Sequence, residues 1–289
     1  MKQLTVLSGK GGTGKTTITA SFAVLAKNAV VADCDVDAPD LHLLLHPEVV
    51  ETQQFKSSKL GVIDKAKCIK CGVCREKCVF GAVTSDFKVD AIACEGCGVC
   101  TVVCPANAAA LVERVSGCAY FSKTQHGFMA HAMLYPGEAN SGKLVTLVRQ
   151  NAKRLAEKKG SDLVLVDGSP GVGCPVIASI AGVDAGLVVT EPTLSGIHDL
   201  ERVVGLLDYF RVTPLVCVNM FDVNRDNTDR ILSFCGEHGV KVVGKIPFSR
   251  EVTAAMVDGK TVVEYAPHSA VAAEITAMWV RIVDFLCEA

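Results

Sequence analysis

Two sets of residues in this chain have the types and spacing for chemistry. Gly9-Lys10-Gly11-Gly12-Thr13-Gly14-Lys15-Thr16 fits the pattern G-x4-G-K-[ST] and lies between the apolar run Leu4–Leu7 and a helix-forming stretch. Glycines let backbone N–H groups converge on a phosphate without Cβ clashes, and the helix start adds the positive end of its dipole. In such a loop Lys15 contacts the β- and γ-phosphates of ATP and Thr16 ligates Mg2+, with Gly9, Gly11, Gly12, Thr13, Gly14 and Thr17 completing the cradle for ATP or ADP. The second set is two runs of Cys-x2-Cys-x2-Cys-x3-Cys, Cys68–Cys78 and Cys94–Cys104. They supply the eight thiolates that two [4Fe–4S] clusters need, although Cys-x2-Cys pairs also bind Zn2+. A nucleotide site and a pair of metal centres therefore share one polypeptide.

Those residues need a scaffold, and the alternation of apolar runs with longer amphipathic ones predicts an α/β fold, a mainly parallel sheet flanked by helices. Strands are expected at Leu4–Leu7, Val30–Asp33, Leu163–Asp167, Gly186–Thr190, Leu215–Asn219 and Lys241–Gly244, and helices at Lys15–Lys27, Lys143–Lys159, Gly196–Tyr209, Asn227–Gly239 and Ala270–Leu286. The apolar run Leu163-Val164-Leu165-Val166 ends in Asp167, which reads as the carboxylate that holds Mg2+ through water.

The stretch from Lys59 to Leu111 breaks this rhythm. It carries an internal repeat, Cys-Ile-Lys-Cys-Gly-Val-Cys against Cys-Glu-Gly-Cys-Gly-Val-Cys, and reads as a small α+β domain inserted into the larger one. The expected division is a phosphate-loop domain over 1–58 and 112–289 with the insert at 59–111. Ala109–Val115 and Ala119–Lys123 are expected to form a short hairpin leading the chain back.

Lys10, early among the loop glycines, makes the chain resemble the deviant-Walker P-loop ATPases of the MinD/ParA/Mrp group. The resemblance implies that Lys10 reaches across a dimer to the partner's nucleotide; the alternative is a solvated lysine. It places the first switch at Asp33-Cys34-Asp35-Val36-Asp37, with Asp35 orienting the attacking water, Asp33 as a structural cap, and Asp37 as a solvated or Mg2+-linked neighbour. Gly168-Ser169-Pro170-Gly171-Val172-Gly173 resembles the second switch, where the Gly171 N–H meets the γ-phosphate. Asn219 occupies the position at which relatives bind adenine, unless it merely caps a turn, and Pro247-Phe248 resembles the loop that covers the base. The cysteine runs resemble bacterial ferredoxins, in which the fourth cysteine crosses over. One cluster is thus implied at Cys68, Cys71, Cys74 and Cys104, the other at Cys94, Cys97, Cys100 and Cys78. The second run ends in the expected Pro105, whereas the first has Val79.

Nearly the whole chain is similar to MinD-like ATPases carrying such an insert, and Gly137-Glu138-Ala139-Asn140-Ser141-Gly142-Lys143 adds to the likeness. Membrane-binding relatives use a basic amphipathic C-terminal helix, but Arg281 is the sole basic residue of Ala270–Ala289. A net charge of −2 disfavours nucleic acid as a partner. Cobyrinate-amidating relatives also need a glutaminase domain, for which 289 residues leave no expected room. Cys174 sits seven residues after Asp167, an offset like that of a cluster ligand in the nitrogenase iron protein; it and Cys34, Cys118, Cys217, Cys235 and Cys287 are otherwise read as packing residues.

With 49% apolar and 21% charged residues the chain can bury a large core. No stretch approaches the ~18 apolar residues of a membrane span, no signal-peptide plan precedes the phosphate loop, and fourteen cysteines in a chain of this size suit metal ligation better than disulfides. The expected location is the cytoplasm. Two functions follow: an ATP-gated redox enzyme acting as an ATP-dependent dimer, homodimeric or paired with a paralogue, on a redox client; or an ATP-dependent assembly factor or carrier of a metal cofactor.

Overall fold

The computed structural model describes residues 1–138 and 142–288. Within them are nine strands: β1 (Lys2–Leu7), β2 (Ala29–Asp33), β3 (Glu48–Ile63), β4 (Ala109–Thr124), β5 (Gly127–Leu134), β6 (Leu163–Asp167), β7 (Ala185–Thr190), β8 (Thr213–Asn219) and β9 (Lys241–Ile246). Their order is β3-β4-β5-β2-β6-β1-β7-β8-β9, and from β5 to β9 every neighbouring pair is parallel. The chain forms two compact units, one of Met1–Thr52, Ala119–Met133 and Asn140–Ala289, the other of Gln53–Cys118 and Leu134–Ala139.

In the larger unit the expected mainly parallel α/β sheet is present, with β6 at its anticipated bounds and the other five anticipated strands longer by one or two residues. The helices Lys15–Ala26, Gly142–Lys159, Leu194–Tyr209, Arg225–Glu237 and Ala270–Glu288 accompany it. Successive strand side chains point to opposite faces, so apolar runs on central strands feed two cores. Leu187, Val189, Leu215 and Cys217 join the core that contains Phe22 and Trp279, while Val188, Val216 and Val218 join the one that contains Leu200, Val204 and Leu207. Phe22 and Trp279 stack with ring centroids 4.9 Å apart, fixing the helix that follows the phosphate loop against the C-terminal helix. Each fully buried Leu or Phe contributes roughly 1.5–3 kcal/mol, so the site rests on a rigid support.

The expected hairpin at Ala109–Lys123 is corrected: Ala109–Thr124 is one uninterrupted strand. Ser116-Gly117 looked like a turn because both residues favour one, but Ser116 Oγ accepts from the N–H groups of Ser57 and Ser58 at 3.4 and 3.3 Å. That pairing to β3 holds the stretch extended. The reversal comes at Gln125 and His126, a two-residue turn between β4 and β5. Strand β3 was not anticipated, since Glu51-Thr52-Gln53-Gln54 and Lys56-Ser57-Ser58-Lys59 carry almost no apolar alternation. Of Gly137–Lys143, residues 139–141 lie outside the described residues. No described helix is long and apolar enough to cross a membrane.

Candidate functional site

Parallel order brings the carboxyl ends of β2, β6, β1 and β7 to one edge, where open α/β sheets bind ligands. Register then levels the acids: Val6 on β1 is paired with Asp167 on β6, and Asp167 with Asp33 on β2. From β1 the chain runs through Gly9–Gly14 into the helix Lys15–Ala26. Gly14 stands at φ 92°, a conformation that favours glycine, and a Cβ there would lie 2.5 Å from Asn219 Nδ2 and displace that side chain.

Lys15 Nζ donates to Asp167 Oδ1 at 2.8 Å and lies 3.7 Å from Asp35 Oδ2. Thr16 Oγ1 donates to Asp167 Oδ2 at 2.9 Å. Thr19, one turn further on, donates to Asp167 Oδ1 at 3.0 Å. Lys15 is 6% exposed and Asp167 1%, so this ion pair has given up its water and depends on mutual charge and these hydrogen bonds. Burial alone would lower the Lys15 ammonium pKa, but the charge and hydrogen bond of Asp167, with Asp35 and Asp33 behind it, raise it above its ordinary value. Lys15 is therefore a fixed cation.

Around it the first-switch acids differ in environment. Asp33 is fully buried, its pKa raised well above the carboxylate range by burial and then by Asp167; Oδ1 accepts the Asp35 N–H at 3.2 Å while the buried Oδ2 has no partner among the described residues. Asp35 is partly buried, and burial raises its pKa against the pull of Lys15. Asp37 is exposed.

Lys10 Nζ meets Glu191 Oε1 at 2.6 Å and donates to Ser195 Oγ at 3.0 Å. Glu191 follows β7, and Ser195 opens the helix Leu194–Tyr209, whose N-cap Thr193 accepts the Gly196 N–H at 3.0 Å. Sequence reasoning missed Thr19, Glu191 and Ser195. Their available signal was position: Thr19 lies one helical turn past Lys15, and Glu191 immediately follows β7, the strand beside β1.

The remaining expected nucleotide contacts are engaged within the chain. The Gly171 N–H donates to the Ser8 carbonyl at 2.9 Å, so facing a γ-phosphate requires that bond to open. Asn219 donates from Nδ2 to the Thr13 carbonyl at 2.8 Å and accepts the Met220 N–H, which clamps the end of β8 to the phosphate loop. Thr17 Oγ1 lies 3.7 Å from Met256 Sδ. Pro247 follows β9, next to an exposed Phe248 whose N–H donates to Asp222 Oδ1 at 2.7 Å. Thr13 Oγ1 is buried and has no partner among the described residues.

In the smaller unit, Cys68, Cys71, Cys74 and Cys104 share the wall of one cavity, and Cys78, Cys94, Cys97 and Cys100 that of another. Each repeat makes one short helix, Val73–Glu76 or Val99–Val102, entered through a left-handed glycine, Gly72 or Gly98. Backbone N–H groups face the sulfurs: Ala108 donates to Cys104 Sγ at 3.2 Å and Gly61 to Cys94 Sγ at 3.4 Å. Among the described residues no three His, Cys, Asp or Glu side chains converge closely enough for a single metal ion. The thiols ring a space rather than meeting at a point.

Of the other cysteines, Cys34, Cys118, Cys217 and Cys235 are buried, and burial pushes the Cys235 thiol up to about 11 and those of Cys34 and Cys217 higher still. Cys34, Cys217 and Cys235 stay protonated. Cys174 is exposed at the start of the helix Cys174–Ile180.

Comparison with known proteins agrees with this geometry. Residues 4–262 match the family model of the CobQ/CobB/MinD/ParA nucleotide binding domain. The uncharacterised Methanocaldococcus jannaschii protein MJ0578 is 33% identical over 257 residues, 86% of each chain. A second uncharacterised protein of that organism, MJ0579, is 24% identical over 271 residues, 92% of this chain and 93% of its own. Among solved structures, the septum site-determining protein MinD of Pyrococcus horikoshii, complexed with Mg-ADP, superposes with a TM-score of 0.62 at 16% identity, over 98% of this chain and 96% of that one.

Proposed function

Because the chain belongs to the CobQ/CobB/MinD/ParA nucleotide-binding family, we propose that it binds and hydrolyses ATP and couples ATP-dependent dimerisation to electron transfer through two [4Fe–4S] clusters. The observation that carries the hydrolytic part is the buried convergence of Lys15, Thr16 and Asp167 at the end of β6. The Thr16 hydroxyl and the Asp167 carboxylate, 2.9 Å apart, are hard oxygen donors that fit Mg2+, and the Mg-ADP bound to the Pyrococcus protein supports the same use here. Lys15 would neutralise charge on the transferring phosphate, Asp35 would orient water, and Lys10 would reach the partner's nucleotide.

The cysteine sets fit iron–sulfur clusters by donor chemistry: four thiols around each cavity, spread out rather than convergent, with N–H donors to sulfur. Cys68, Cys71, Cys74 and Cys104 would hold one cluster and Cys78, Cys94, Cys97 and Cys100 the other. Bound there, the clusters would supply one-electron transfer. Free thiols in this number suit a reducing compartment, the cytoplasm. Dimerisation with a second copy or with a paralogue both fit, since Methanocaldococcus jannaschii carries two relatives.

A second reading, an assembly factor that delivers iron and sulfide to a client, is favoured by the exposure of Cys71 and Cys97. Anaerobic purification, iron and sulfide analysis, and redox titration with and without ATP test the proposal. Reversible cycling of both centres with an ATP-dependent potential upholds coupling. Loss of the centres to an apo-ferredoxin on ATP addition upholds delivery instead, and zinc as the sole bound metal overturns both.

A further inference from the structure

The two cysteine repeats align residue for residue, yet the positions between their cysteines differ in charge. Cys68–Cys78 encloses Lys70, Arg75, Glu76 and Lys77, whereas Cys94–Cys104 encloses Glu95 as its sole charged residue. Lys65 and Lys67 precede the first run, where Ala91 and Ala93 precede the second. All five cations of the first repeat are exposed. Lys67 lies 3.8 Å from Asp64 and Lys77 2.9 Å from Glu76, but among the described residues Lys65, Lys70 and Arg75 make no ion pair.

Lys70 is informative because of its backbone. It stands at φ 56°, left-handed, on the wall of the cavity that Cys68, Cys71, Cys74 and Cys104 share. Its counterpart Gly96 has φ 63°, and there a Cβ would fall 2.2 Å from the Lys59 carbonyl oxygen. Glycine is thus required in the second repeat, while in the first a disfavoured conformation is retained with a long cationic side chain at the cavity rim. Ile69, 66% exposed, lines the same cavity and adds apolar surface beside Lys70.

We propose that the face over the Cys68/Cys71/Cys74/Cys104 cavity docks a small acidic electron-carrier protein, and that the second repeat presents no equivalent face. Its acidic character follows from charge complementarity, which steers association and sets orientation. Its electron-carrier character rests on the iron–sulfur reading above. An exposed apolar side chain, Ile69, next to the unpaired Lys70 suits a protein surface better than a phosphate backbone, which rewards a continuous cationic track.

The test uses the reconstituted full chain and, as probe, an acidic plant-type [2Fe–2S] ferredoxin, with affinity measured by calorimetry at low and high salt. Lys70→Glu combined with Arg75→Glu is expected to weaken binding about tenfold at low salt, with the difference fading near 1 M, where the Debye length is about 3 Å. Val102→Glu, a charge added to the second repeat, should leave affinity within about twofold. Unchanged binding by the double variant, or tighter binding to a duplex oligonucleotide than to ferredoxin, overturns the proposal. Iron is counted in the same samples: an iron-free chain that still shows the charge-dependent loss keeps the docking face and sinks the iron–sulfur reading. An iron-loaded chain without that loss does the reverse.

Discussion

Lys10 is held by Glu191 of its own chain, with Nζ 2.6 Å from Oε1, in the strand-end crevice where Lys15 meets Asp167. A lysine that serves a partner's nucleotide must first leave this pair, so in the proposed role of Lys10 the contact would oppose dimerisation. Lys10 is 36% exposed, which limits the pair to the roughly 0.2–1 kcal/mol of an exposed salt bridge. Glu191→Gln should therefore tighten ATP-dependent association about two- to fivefold in sedimentation under non-hydrolysing conditions. Association as weak as that of Lys10→Ala would show that Glu191 serves the dimer instead.

If Lys10 acts in trans, a dimer mixing Asp35→Ala with Lys10→Ala chains has one complete site, formed by the Lys10→Ala chain's own Asp35 and its partner's Lys10. Mixing two inactive variants should restore about half of the wild-type turnover per mixed dimer. Absence of recovery, with mixed dimers demonstrated, refutes the crossing.

Lys15→Ala leaves Asp167 buried beside Asp33 with only the Thr16 and Thr19 hydroxyls for partners. Turnover should vanish and stability fall by about 3 kcal/mol, as breaking one side of a buried pair does. Asp35→Ala, at a partly buried position, should abolish turnover while nucleotide affinity changes little. Turnover assays, nucleotide titration and urea midpoints separate the two, and a Lys15→Ala chain that hydrolyses ATP normally would remove the site assignment.

Cys104→Ser alters the cavity shared with Cys68, Cys71 and Cys74, although Cys104 belongs to the second run. Site-resolved spectroscopy of the reconstituted chain should show the first centre damaged and the second intact, with iron falling from about eight atoms toward four. Loss of the centre at Cys94, Cys97 and Cys100 instead would contradict the crossed arrangement.

His131 shares a 2.8 Å hydrogen bond with Ser122, and burial, then the nearby His42, lowers its pKa to about 4. The neutral ring is native and the unfolded ring titrates near 6.5. Its contribution to stability is thus present above about pH 6.5 and lost as pH falls toward 4, by up to about 3 kcal/mol. His131→Asn should flatten that part of the pH–stability profile. Identical slopes for both chains between pH 6.5 and 4 would remove the assignment.

The elements were legible where local pattern carried them: the apolar runs of β1, β6 and β7 are buried throughout their central positions, so strand and burial coincide. Strand β3 was not, because a polar stretch becomes a strand through its neighbour, and Ser116 straightens β4 by binding the Ser57 and Ser58 amides from 59 and 58 residues away. The same division runs through the site. By itself the sequence determined the phosphate loop and the two cysteine runs, because their function depends on spacing within a dozen residues and short chains have little freedom to misplace them. Only the tertiary structure decided that Asp167 meets Lys15 across 152 residues, that Lys10 rests on Glu191, and that Cys104 joins the first cavity. Those contacts arise from strand order, register and the path of the returning chain, which local residue preferences leave open until the whole sheet is packed.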